Sequence, residues 1–242
     1  TAINGWLAEA DIEFDESILR EGEALPDISR RRLHRVFTNG SFESGGRMAG
    51  GFWINMKPKH RLAGIMIEGE AVASVDFGQI GPRILYHLAG AKAPAGDLYD
   101  VPGLESWRHG VKLVINVAIN STTPLVRKLP EMMDHLPRDR TLRDIMRDIE
   151  AAHAPIIGHF YRGIGHRIMF KESNIAVKAL LTLKTEGIVA LPVHDEILVP
   201  RSQARTAAEA MKDAYSDVVG GDIPVSADEW SSLKESIVPM SL

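Results

Sequence analysis

Two aspartates stand beside short apolar runs in distant parts of the chain. Asp76 closes the run Ala71-Val-Ala-Ser-Val, and Asp195 follows Pro192-Val-His. A carboxylate at the end of a buried strand is expensive unless something neutralises it. A divalent cation is one such partner, and hard oxygen ligands suit Mg²⁺. Two carboxylates that bridge two ions roughly 3.5–4 Å apart can neutralise the attacking and leaving oxygens of a phosphoryl transfer. Each aspartate also has a plainer use, Asp76 as a helix cap and Asp195 as a turn residue.

A second feature lies between them. Arg108, Lys112, Asn116 and Asn120 recur every four residues, so they share one face of a helix. The other faces carry Val111, Leu113, Val114, Val117 and Ala118. An arginine fork and a lysine point charge on one helical face can grip a triphosphate. The same pattern also describes an ordinary amphipathic helix.

Several elements must position these groups. Residues 1–38 read as mostly helical, with a break near Pro26. The glycine-rich stretch 39–51 reads as turns or a hairpin. Residues 63–78 read as two strands joined at Glu68-Gly69-Glu70, then a helix from Pro82 to Ala89 stopped by Gly90. The polar stripe sits on a helix from Leu104 to Asn120, closed by Pro124. Helices are expected over 141–161, interrupted near Pro155, and over 172–186, stopped by Gly187. Residues 188–200 read as a tight hairpin with His194-Asp195-Glu196 at its turn. A last helix runs from Ser202, as N-cap, to Val218. The order is strand–Asp–helix, a helical middle, then hairpin–Asp–helix.

The bulk properties set bounds. A chain of 242 residues, 45% hydrophobic, can bury one sizeable core. No apolar run approaches the ~20 residues of a membrane span, and no signal peptide is visible, so a cytoplasmic protein with no membrane partner is expected. The missing initiator Met suggests a trimmed or partial chain. With no cysteine, disulfides, thiolate zinc sites and Cys nucleophiles are excluded. The net charge of −4 does not favour nucleic acid, but the positive charge is clustered. Arg30, Arg31, Arg32 and Arg35 form one group; Arg138, Arg140, Arg143 and Arg147 a second; Arg162, His166, Arg167 and Lys171 a third.

In order along the chain, these pieces resemble family A DNA polymerases and their relatives, the single-subunit phage RNA polymerases. The stretch Ser74–Gly90 is similar to motif A, Arg108-x-x-x-Lys112 to the start of motif B, and Val193-His-Asp-Glu196 to motif C. Upstream, Gly46-Arg47 and Asn55-Met-Lys-Pro58 resemble the stretch bordering the primer terminus, and residues 166–183 loosely resemble the helix that follows primer and template. The resemblance covers about residues 45–218. It implies an α+β polymerase palm whose antiparallel sheet carries the catalytic aspartates, plus a reduced helical fingers insertion. It divides the chain into an N-terminal helical segment (1–44), a first palm part (45–95), a fingers-like insertion (96–186) and a second palm part (187–242).

The activity implied is template-directed addition of nucleotides to a primer 3′-hydroxyl with two Mg²⁺ ions, for which Mn²⁺ can substitute. Asp76, Asp195 and Phe77 would hold the metals. Arg108 and Lys112 would meet the triphosphate, with Gln79, Gly81, Asn116 and Asn120 near the nucleotide. Arg47, Asn55 and His194 would meet primer and template, and His194 and Glu196 would support the site. Gly81 stands where the DNA enzymes carry Glu and the phage RNA enzymes carry Gly, which implies tolerance of ribonucleotides. Asn116, Asn120 and Ser121 stand where motif B normally has aromatic, Tyr and Gly residues. Other readings stay open: an RNA polymerase or primase-like enzyme, a catalytically weakened nucleic-acid-binding palm, or a metal-dependent nuclease. Only 75 residues precede Asp76, so a partner protein or a separate thumb-like domain is also expected.

Overall fold

The computed structural model describes residues 2–229. It is a mixed α/β chain with an antiparallel sheet. Its contacts divide it into two units: the described parts of Thr1–Gly78 and Lys171–Leu242, and Gln79–Phe170. Residues 230–242 of the expected second palm part lie outside the described residues.

The first unit begins with helix α1 (Ala2–Glu9) and strand β1 (Ile12–Phe14). The predicted run of helix over 1–38 therefore stops at residue 9. Between β1 and residue 33 the chain has only a short 3₁₀ turn at Glu16–Ile18, and Asn4 anchors its far end by bonding both the Leu33 carbonyl and amide, at 2.9 and 2.8 Å. Strands β2 (His34–Thr38) and β3 (Ser41–Ala49) form the hairpin that the glycines suggested. Its turn, Asn39-Gly40, has φ of 56° and 63°, a pair that suits the right-handed twist of a two-residue hairpin. Helix α2 (Pro58–Gly64) opens on proline, which has no amide to leave unsatisfied.

Strands β4 (Ile65–Ile67) and β5 (Glu70–Phe77) come next, joined at Glu68-Gly69. The second unit holds helix α3 (Ile80–Leu88), α4 (Arg108–Asn120), α5 (Leu142–Ala152) and the first turns of α6 (Gly165–Thr185). Pro155 ends α5 in a 3₁₀ stretch at Ala154–His159, as its missing amide requires. On α4, Val111, Val114, Ile115 and Ala118 are fully buried, and Gly110 allows a loop to lie on the helix. A Cβ there would sit 1.8 Å from the His135 carbonyl oxygen. Helix α6 starts seven residues before the expected 172. Back in the first unit come β6 (Leu191–Val193), β7 (Glu196–Pro200), α7 (Ala204–Val218) and β8 (Val225–Glu229).

The sheet runs β1-β4-β5-β7-β6, with β8 also on β5, all antiparallel. Strand β5 is its centre. Val72, Ala73, Ser74 and Val75 are all buried, so both faces of β5 are covered. Strand β8 was not anticipated; its residues 226–228 are exposed and give no apolar alternation. Ser202 does not cap α7. Its amide and hydroxyl both donate to Glu70, at 2.7 and 2.8 Å, and Gln203 holds the cap position. Among the described residues no helix is long and apolar enough to cross a membrane.

Candidate active site

The two aspartates meet at one end of the central strand pair. Register places Asp76 of β5 opposite Glu196 of β7. Asp195 precedes Glu196 in the two-residue turn closed by the Val193–Glu196 pair, with His194 in the left-handed region at φ 59°. The Phe77 amide donates to the Asp195 carbonyl at 3.4 Å, which ties the turn to β5 directly beside Asp76. Asp76 is half-buried and Asp195 exposed. Asp76 does not cap α3, whose N-cap is Gln79.

Glu196 is braced rather than open. Buried Arg61 of α2 donates to its Oε1, and Ser74 Oγ donates to its Oε2 at 2.7 Å. Arg61 also donates to the Met56 carbonyl. Ser74 and Glu196 are diagonal neighbours on the face that carries Asp76, which is why both can reach. Sequence reasoning missed Arg61 and Ser74. Ser74 had a weak signal, two positions before Asp76 on the same strand face.

A second group faces the turn. Ser173 of α6, itself buried, donates to the Gly46 carbonyl of β3. That contact brings the neighbours Glu172 and Arg47 together. Burial, then the Asp195 charge, push the Glu172 carboxyl up to about 7, against the pull of Arg47. Burial and then Arg47 lower the His194 imidazole from its ordinary value, against the pull of Asp195. Glu172 was also missed; a single Glu on a long helix carries no sequence signal. Asn55 is exposed and lines an open cavity of about 500 Å³ with Arg30, Phe52, Lys57 and His60.

Two carboxylates are what this end of the sheet offers a cation. Among the described residues no group of three or more Asp, Glu or His side chains is placed to hold a metal. That donor set fits Mg²⁺, which binds through one or two carboxylates and keeps waters and substrate phosphates as its other ligands. It does not fit a closed structural zinc site. The Phe77 ring is buried near Tyr215, so only its backbone could face a cation.

In the second unit, Arg108 and Lys112 are exposed on α4, Asn116 is half-buried and Asn120 exposed. Asn120 Nδ2 donates to the Asn116 carbonyl at 2.8 Å. Arg108 Nε donates to Asp97 Oδ2. Asp97 Oδ1 accepts from Gln79 Nε2 and from the Tyr99 amide, both at 2.8 Å. Gln79 Oε1 accepts from the Leu98 amide at 2.9 Å and from Arg83 at 3.3 Å. Both ends of the Gln79 amide are thus engaged inside the unit. A Cβ on Gly81 would find only Ile168 Cγ2, at 4.0 Å.

No protein-family profile and no curated protein matches this chain. Among solved structures it is similar to the POL domain of Pol1 from M. smegmatis, solved in complex with DNA primer-template and dNTP. The identity is 16% and the TM-score 0.46, over 85% of this chain and 49% of that one. The chain thus spans about half the length of that domain.

Proposed function

We propose that this chain is a template-directed nucleotidyltransferase, a compact family A-like DNA polymerase with a palm-like first unit. The observation that carries this is the placement of Asp76 at the end of β5 beside Asp195 in the β6–β7 turn, at one end of the sheet. Bound Mg²⁺ would supply the charge neutralisation that in-line attack of a primer 3′-hydroxyl on an α-phosphate requires. Asp76 and Asp195 would hold it. Glu196, braced by Arg61 and Ser74, keeps the turn and β5 in register. His194, in the turn, and Arg47, close to it, are assigned to the primer–template backbone, and phosphate contacts there carry little sequence preference. Arg108 and Lys112 are assigned to the triphosphate, where their charge counts most as negative charge builds up.

One observation favours a second feature, ribonucleotide tolerance. The space around Gly81 is open, and the Gln79 amide two residues before it is engaged with Asp97 and Leu98. Primer extension with dNTPs and with NTPs, each in Mg²⁺ and in Mn²⁺, tests the proposal. Template-dependent extension is expected. No extension with any nucleotide in either metal, by protein that binds primer–template, contradicts it and leaves a nucleic-acid-binding palm. Phosphate contacts weaken steeply as salt rises, so primer–template affinity should drop between about 50 and 200 mM salt, and an absence of binding even at low salt would show the need for a thumb-like domain or partner protein to hold the duplex.

A further inference from the structure

Asp97 was not among the residues the sequence singled out, yet it is the hub of the second unit's polar network. Its own segment is fixed on every side. Leu98 and Tyr99 are buried. The Gly96 carbonyl accepts from Arg83 Nη2 at 2.8 Å, and the Leu98 carbonyl accepts from His153 Nε2 at 2.9 Å. The Leu98 amide donates to Gln79. Gln79 holds a left-handed backbone at φ 59°, a strained conformation for a side chain of its size, and the network maintains it. On this rigid turn Asp97 places one oxygen against Gln79 and the Tyr99 amide, and the other against Arg108.

We propose that Asp97 is a positioning residue for nucleotide binding, holding Arg108 by its Nε side so that its terminal amino groups are presented to a nucleoside triphosphate. The inference rests on the assignment of Arg108 to the triphosphate. A long arginine on an exposed helix face would otherwise sample many rotamers, and ordering it is a large part of the binding penalty. Two contacts remove that freedom. Asp97 takes Nε, and the Tyr99 ring lies under the guanidinium, 5.4 Å from ring centroid to Cζ. A guanidinium held in this way keeps its fork geometry at the opposite edge, the edge that suits phosphate oxygens. Asp97 is itself only partly exposed, with its side chain at 30% against 53% for Arg108, so the anchor is the better-ordered partner. The same chain of bonds joins Gln79 to the start of the α4 stripe within the second unit.

The test is a double-mutant cycle on nucleotide affinity, read by single-turnover nucleotide titration on saturating primer–template. The proteins are wild type, Asp97→Asn, Arg108→Ala and the double variant. Arg108→Ala is expected to raise the nucleotide Kd at least about tenfold, the range of one lost charge-assisted bond. Asp97→Asn is expected to raise it about fivefold to tenfold with primer–template affinity unchanged. In the Arg108→Ala background the same change is expected to add less than about twofold, because residues acting through one contact are non-additive. An equal added factor in that background, or a lower Kd for Asp97→Asn, overturns the proposal; the latter would make Asp97 a competitor of the phosphates. If Arg108→Ala leaves the nucleotide Kd unchanged, the assignment of Arg108 itself fails and takes this inference with it. Should Asp97→Asn not fold, Arg108→Lys serves, since it keeps the charge but cannot divide its bonds between Asp97 and phosphate. It is expected to weaken nucleotide binding as Asp97→Asn would, and wild-type affinity in Arg108→Lys refutes the division.

Discussion

Replacing Glu196 by Gln separates a brace from a metal ligand. The side chain accepts from Arg61 at one oxygen and from Ser74 at the other, at 2.7 Å. The Gln amide keeps an oxygen for Arg61, and its NH₂ group can donate to Ser74 Oγ once that hydroxyl rotates to accept. What is lost is the charge. A charge-assisted bond contributes roughly 1.5–3 kcal/mol and a neutral one roughly 0.5–1.5, so the variant should lose about 1–2 kcal/mol of stability. Glu196→Ala also strands the buried Arg61 charge, whose side chain is only 8% exposed, and should lose about 3–5 kcal/mol. Urea unfolding measures both. Primer extension then gives the functional result: Glu196→Gln should stay within about tenfold of wild type, a loss of no more than about 1.4 kcal/mol in barrier. A Glu196→Gln protein of near wild-type stability that has lost a thousandfold or more, roughly 4 kcal/mol, would refute the brace and make Glu196 part of the metal site.

Two further outcomes are expected. Competition of each NTP with its dNTP on one primer–template should show a preference within about a hundredfold, roughly 2.7 kcal/mol, and Gly81→Glu should shift it toward dNTPs; a wild-type preference above about a thousandfold would show that Gly81 does not leave the sugar pocket open. His153 is buried, donates from Nε2 to the Leu98 carbonyl and accepts from the Tyr86 hydroxyl at Nδ1, and burial lowers its pKa below the ordinary 6.5. Between the lowered folded value and 6.5 the unfolded chain binds the extra proton, so this residue's contribution to stability falls as pH drops through that window. Glu172, raised to about 7, acts in the opposite sense over the same range. The measurement is therefore the stability difference between wild type and His153→Gln, which should shrink from about pH 7.5 to about pH 5.5, whereas a constant difference contradicts the assignment.

Much of the sheet was legible because its signals are local. The turns at Asn39-Gly40 and Glu68-Gly69 need residues that tolerate positive φ, and the runs beside them are apolar. The α4 stripe came from spacing alone, since its buried and exposed positions repeat every three to four residues. The N-terminal region misled because its segments are held by distant partners. Strand β1 exists through pairing with β4, and the stretch before β2 through Asn4 and through Arg31, which donates to the Ala10 and Ile12 carbonyls. The same holds for the site. Asp76 and Asp195 were candidates because they sit beside apolar runs, and the strand pairing brings them near one another. Arg61, Glu172 and Asp97 meet their partners far along the chain or across a turn, and nothing in their immediate neighbours marks them.

Asp76→Asn and Asp195→Asn, each assayed for primer extension beside a circular-dichroism melt, test the central claim most directly. Each removes one negative charge from the pair at the end of β5 and β7 while keeping the side chain's shape. The expected result is a folded protein with nucleotide addition abolished in both variants. Near wild-type extension by either variant would contradict the assignment of Asp76 and Asp195 as the metal-binding pair.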